Sequence, residues 1–151
     1  MASRRKGRIL AFQALYSWDL VYSQTGKAVI PEGLLDFPWL ENEKKTALNE
    51  ETFAFSRLLV TGTVENIAAI DAMISRHLKN WDITRLNRVD LAIMRMSVYA
   101  LMYQEETAPS IVINEAIGIS REFGTDDSYR FINGVLDSIR KSLHGVPKAL
   151  V

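Results

Sequence analysis

Cysteine is missing from the 151-residue chain, which excludes disulfides, thiolate metal sites and cysteine nucleophiles and makes a cytoplasmic setting the simplest expectation. Histidine is scarce. His77 and His144 are the only imidazoles, too few for a zinc site that needs three or four clustered donors, so no metal or cofactor is expected. The phosphate loop G-x-x-x-x-G-K-[ST], the dinucleotide fingerprint G-x-G-x-x-G, the zinc-protease pair H-E-x-x-H and the nucleophile elbow G-x-S-x-G are all absent. Asp126 and Asp127 are paired carboxylates, but adjacent residues on a helix do not face each other, and helix capping accounts for at least one of them. No catalytic residue is expected. Long apolar runs are also lacking: nothing approaches the length that spans a bilayer. The basic start followed by "ILAFQAL" fails as a secretion signal, because Gln13, Ser17 and Asp19 interrupt it and no small-residue cleavage site follows.

What is present suits one domain over residues 1–151, with 48% apolar residues and room for a sizeable core. The formal charge is zero but uneven. "MASRRKGR" holds Arg4, Arg5, Lys6 and Arg8 with no acid, and removing these four from the 18 basic residues leaves 14 to set against 18 acidic ones elsewhere. The expectation is a mildly acidic body with a basic arm over residues 1–8 that precedes the packed helix. Such an arm either binds nucleic acid, anionic membrane or an acidic partner, or is a solvated tail.

Helical periodicity dominates and sustained two-residue alternation is absent, so the fold class is all-α, with about six or seven helices and short C-terminal loops that favour antiparallel neighbours. The spacing predicts a first helix over Lys6–Ser23, then a long connection over 24–51 in which Leu34, Leu35, Phe37, Trp39 and Leu40 suit a short docked helix. A long helical region follows over Glu51–Leu78, with Gly62 as its dividing point. Trp81 and Asp82 mark a break. Thr84–Tyr103 reads as a helix with Val89 and Tyr103 among its inward residues, and another ends at Phe123. The last runs over Asp126–Leu143, where Tyr129, Ile132, Leu136, Ile139 and Leu143 form the core stripe and Thr125, Asp126 and Asp127 are N-cap candidates.

Two further rows carry candidate chemistry. On the first helix, Leu10, Ala14, Trp18 and Val21 form an apolar stripe, while Arg5, Arg8, Phe12 and Tyr16 line up on the opposite side. Phe12 suits the core; Tyr16 suits either core or ligand binding, because its ring packs while its hydroxyl reaches outward. On the last helix, Asp127, Phe131, Gly134 and Ser138 lie away from the core stripe. A glycine there, costing about 1 kcal/mol relative to alanine, permits close approach of something to the helix. That row is either a stacking platform for an unpaired base or the seat of a second protein layer.

"RILAFQALYSWDL", "ENIAAIDAMISRHLKNW", "NRVDLAIMRMSVYAL" and "VINEAIGISREFGTDDSYRFINGVLD" together resemble the NusB family of bacterial transcription antitermination factors. The last block is the most specific, with I-N-E-A, F-G, D-S and F-x-N-G-V-L-D in order. The resemblance implies two small helical bundles packed across each other and a partner, the ribosomal protein NusE. NusE and NusB together bind the boxA element of nascent ribosomal transcripts and help RNA polymerase, within an antitermination complex, read through terminators. By matching positions it implies RNA contact through Arg4, Arg5, Lys6, Arg8, Gln13, Tyr16, Arg130 and Phe131. Asp90 and Asp127 match positions for the partner or for tuning RNA binding, and Asp90 is expected at the edge of a surface. The connection over 24–51 is longer than the family's usual one. Two alternatives are a NusB-like domain of ribosomal RNA methyltransferases and a purely protein-binding helical scaffold. The end of the chain at Val151, with no cofactor-binding domain after it, argues against a complete enzyme.

Overall fold

The computed structural model describes residues 3–79 and 82–144; Trp81, expected at a break, and the first two residues of the basic segment lie outside the described residues. Seven α-helices form, and no strand occurs among the described residues. They are α1 (Arg4–Thr25), α2 (Asn42–Ala47), α3 (Glu50–Glu65), α4 (Ile67–Arg76), α5 (Arg88–Tyr103), α6 (Pro109–Phe123) and α7 (Ser128–His144). Their ends have local causes. The Ser3 hydroxyl accepts from the Lys6 N–H at 3.2 Å to open α1, and Gly26, at φ +69°, closes it by donating to the Tyr22 carbonyl at 2.8 Å. Asn49 and Asn87 cap α3 and α5 in the same way as Ser3. α6 starts on Pro109, whose missing N–H costs nothing in a first turn.

α1 packs on α3, α6 packs on α7, and α5 runs between these layers in contact with α1, α3, α4, α6 and α7. Every residue of α5 from Asp90 to Leu101 is therefore buried. A helix enclosed on all sides has no solvent face, so a one-sided stripe misplaces its residues. Val89 is only half-buried and Tyr103 is 44% exposed, whereas Asp90, expected at a surface edge, is buried. Val21 likewise leaves its expected stripe and is exposed.

The long region expected over Glu51–Leu78 is two helices, α3 and α4, whose axes bend by 75°. The break falls at Asn66 rather than Gly62. The Asn66 backbone N–H and side-chain amide both donate to the Gly62 carbonyl, at 3.2 and 2.8 Å, so Asn66 folds back on the last turn of α3 and caps it. Gly62 instead leaves space for a ring: an added Cβ would lie 2.2 Å from Tyr99 Cζ. The long connection folds as a 3-10 turn over Leu34–Asp36 followed by α2. It is anchored by Phe37, which is fully buried and stacks on Phe53 at 5.8 Å between centroids. The helix expected from Thr84 begins at Arg88 after a 3-10 turn over Ile83–Arg85, and α7 begins at Ser128 rather than Asp126.

One ion cluster ties α1, α4 and α5 together inside this core. Arg95 donates to Asp19 at 2.8 Å and bidentately to Asp71 at 2.9 and 2.8 Å, and Arg88 donates to the second Asp19 oxygen at 3.0 Å. Among the described residues, no single helix is long and apolar enough to cross a membrane.

Candidate nucleic-acid interface

The first turn of α1 carries Arg4, Arg5 and Lys6 and no acid. Cations at the positive end of a helix dipole oppose its field, so local physics disfavours this arrangement. Relief comes from α6. Arg5 donates bidentately to Glu115 at 2.9 and 2.8 Å, and Arg8 donates to the same carboxylate at 3.3 Å. The hydrogen bond from Arg5 holds the Glu115 carboxyl below its ordinary pKa and raises that of Arg5, while burial lowers that of Arg8. The basic segment is thus not an arm preceding the packed helix: it is helical from Arg4, and Arg8 is only 9% exposed. The Arg4 guanidinium lies over the Phe55 ring at 4.4 Å and that of Arg8 at 5.3 Å. Two glycines allow these approaches. A Cβ at Gly7 would meet Phe55 at 2.7 Å, and one at Gly118 would meet the Arg5 guanidinium at 2.6 Å.

The row Arg5, Arg8, Phe12 and Tyr16 is consequently the seam between α1 and α6. Phe12 is buried and meets Phe123 edge-on at 5.2 Å between centroids. Tyr16, one turn further, emerges from the seam at 38% exposure beside a groove shared by Gln13, Trp39, Val89 and Phe123. Gln13 is half-buried and accepts a 3.0 Å hydrogen bond from the Trp39 indole N–H.

Arg130 and Phe131 belong to a different groove, lined also by His77, Lys79, Gly134 and Ser138 and by no residue of α1. Phe131 is half-buried and Arg130 exposed. An added Cβ at Gly134 meets nothing within 4 Å among the described residues, so none of them forms a second layer on it. The C-terminal end of α4 does reach the row, since His77 Nδ1 lies 2.7 Å from the Ser138 hydroxyl. Asp127 is exposed in the turn before α7. Asp90 instead lies beneath that turn: burial raises its pKa, hydrogen bonding with Ser128 partly offsets the rise, and its Oδ1 has no partner among the described residues. Ser128 in turn accepts from the Thr125 N–H at 2.9 Å, so Asp90 is connected to the Gly124–Asp127 turn and not to the solvent surface.

Sequence reasoning missed Glu115, Trp39, Phe123 and Arg121, whose guanidinium lies over Tyr129 at 4.4 Å. Glu115 stands in the I-N-E-A motif, and an acid there at one helical turn from Gly118 is the one legible hint of a basic neighbour. Trp39 gave no such signal, because its position depends on how the long connection docks.

Fold and surface define the class: an all-helical protein whose first helix carries a surplus of positive charge leading to an exposed tyrosine. The chain belongs to the NusB family of transcription antitermination proteins, whose family model matches residues 5–141. The transcription antitermination protein NusB of Treponema denticola is 53% identical over 137 residues, covering 91% of this chain and 95% of that protein. The solved structure of T. maritima NusB is similar with a TM-score of 0.78 at 30% identity, covering 99% of this chain and 97% of that one. A structure of the antitermination factors NusB and NusE in complex with double-stranded RNA gives 0.76 at 28% identity, covering 92% and 96%.

Proposed function

We propose that the chain is a non-catalytic transcription antitermination factor that binds boxA-type single-stranded RNA in nascent ribosomal transcripts together with NusE. The observation that carries this reading is the charge surplus of Arg4, Arg5, Lys6 and Arg8 over Glu115, on the same helix that exposes Tyr16. Phosphates are held by basic side chains and unpaired bases stack on exposed aromatics, which this helix supplies together. Arg130 and Phe131 supply a second base-binding surface on α7. The remaining body carries more acid than base, so a basic partner completes the RNA surface by neutralising repulsion. Asp127, exposed beside α7, tunes that surface by repelling phosphate, and Asp90 does so through the Ser128 turn.

A gel shift tests the proposal, using boxA-like RNA, a scrambled strand and a duplex of the same length, each with and without NusE. Weak binding to single-stranded boxA-like RNA that strengthens with NusE is the expected result. Equal retention of boxA-like and scrambled strands would support a protein-binding scaffold with only electrostatic RNA affinity. The related complex with double-stranded RNA gives the duplex arm its purpose: preference for duplex would replace base stacking by recognition of groove shape.

A further inference from the structure

The geometry points to a base-binding slot between Tyr16 and Trp39, in which the long connection contributes a second stacking ring and Gln13 reads the edge of an unpaired RNA base. Tyr16 and Trp39 are 38% and 40% exposed and line the same apolar groove, floored by Phe12, Val89 and Phe123. Exposing two large aromatics beside one groove is costly in water and is offset by a flat π-bearing ligand. Gln13 supplies direction. An indole N–H is a donor only, so the 3.0 Å contact from Trp39 fixes the Gln13 carbonyl toward the indole and leaves the amide NH2 as the group to offer a ligand. That NH2 donates to no group among the described residues and suits an acceptor on a base edge.

The same glutamine also lines a neighbouring apolar cleft between α1 and α2, whose lining includes Lys6 and Lys44. A base in the slot therefore places its flanking phosphates within the field of two ammonium groups, one of them from the basic segment of α1. The occupant is accordingly a nucleotide within a single strand and not an apolar peptide, which has no anionic group for the two lysines to meet. Trp39 is itself held in place from behind, since Phe37 packs edge-on against it at 5.7 Å and is buried.

This inference rests on the RNA reading above, and the experiment separates the two. The full chain is titrated by fluorescence anisotropy with a labelled boxA-like single strand and with strands carrying one abasic site at each position in turn. Trp39→Ala is expected to weaken binding roughly 5- to 150-fold, the range for losing one stacked base, without changing the salt slope. Trp39→Phe should retain most of the affinity. One abasic position should reproduce the loss with the native protein and cost nothing further with Trp39→Ala. Native affinity in Trp39→Ala with an undiminished response at every abasic position would overturn the slot while leaving RNA binding standing. A native chain that binds no RNA would overturn both. Unchanged RNA affinity with weakened NusE binding would give the groove to protein and overturn the slot. If Trp39→Ala fails to fold, the abasic series with native protein and with Trp39→Phe decides alone: no position showing a loss overturns the proposal.

Discussion

In the core, Arg95 and Arg88 meet Asp19 and Asp71, two cations on two anions, with the Arg95 and Asp19 side chains 5% and 3% exposed. At the start of α1, Arg5 and Arg8 share one acid, Glu115, while Arg4 and Lys6 have no ion pair among the described residues. The difference follows from solvation. A net charge taken out of water is too costly to keep, so the buried cluster is neutral and its hydrogen bonds are bidentate where space allows. A cluster at the surface tolerates a surplus because water screens it, and only a surplus attracts phosphate. One set of arginines thus holds helices together, and the other leaves charge for a ligand.

The largest expected effect breaks the balanced cluster. Arg95→Met strands the Asp71 carboxylate and leaves the deeply buried Asp19 with Arg88 alone, and should cost about 3 to 5 kcal/mol in denaturant unfolding. The folded fraction should keep its RNA affinity; a parallel loss would mean that the two clusters are coupled. Next, replacing Arg4, Arg5, Lys6 and Arg8 together by alanine should flatten the plot of log K against log salt for single-stranded RNA by roughly 2 units. That value is three uncompensated charges at about 0.7 each, since Glu115 already cancels one. An unchanged slope would show that the surplus meets no phosphate.

Glu115→Gln sharpens the contrast from the other side. Arg5 and Arg8 keep their charge but lose their acid, so RNA should bind more tightly, with a salt slope steeper by up to about 0.7. Stability at neutral pH should change by less than about 1 kcal/mol, as for a partly exposed pair. Because Arg5 depresses the folded-state pKa of Glu115 below 4.5, the carboxylate's contribution is complete above that pH and is lost as pH falls through the depressed value. The native and Glu115→Gln chains should therefore differ in stability above about pH 4.5 and converge as pH falls through the depressed Glu115 value. Smallest is Gly134→Ala on α7, whose added methyl meets nothing within 4 Å among the described residues and should raise helix stability by up to about 1 kcal/mol. Gly118→Ala is its counterpart on α6, where the added methyl displaces the Arg5 guanidinium. A Gly134→Ala protein that is more stable but binds RNA less well would show that the Phe131 groove needs the close approach.

Amphipathic helices were legible where one face meets solvent. The stripe of Ile132, Leu136 and Ile139 on α7 is buried as its spacing requires, whereas α1 extends past both ends of the expected Lys6–Ser23 span, to Arg4 and Thr25, because Ser3 and Gly26 cap it there. α5 was misread because its environment has no outside: Asp90 and Ser97 are as enclosed as their apolar neighbours. The α3–α4 break at Asn66 was hidden because continuous apolar spacing does not reveal a side chain that folds back to cap the preceding turn. In the candidate interface, the residue types were legible and their partners were not.

By itself the sequence determined the helical class, the concentration of cations in the first two turns of α1, and the aromatic types available for stacking. Those depend on periodicity and composition, which act over a few residues. Only the tertiary structure decided which cations are cancelled and which remain. Arg5 finds Glu115 across 110 residues of chain and Arg95 finds Asp19 across 76, and electrostatic energy depends on those distances in space and on how much water lies between.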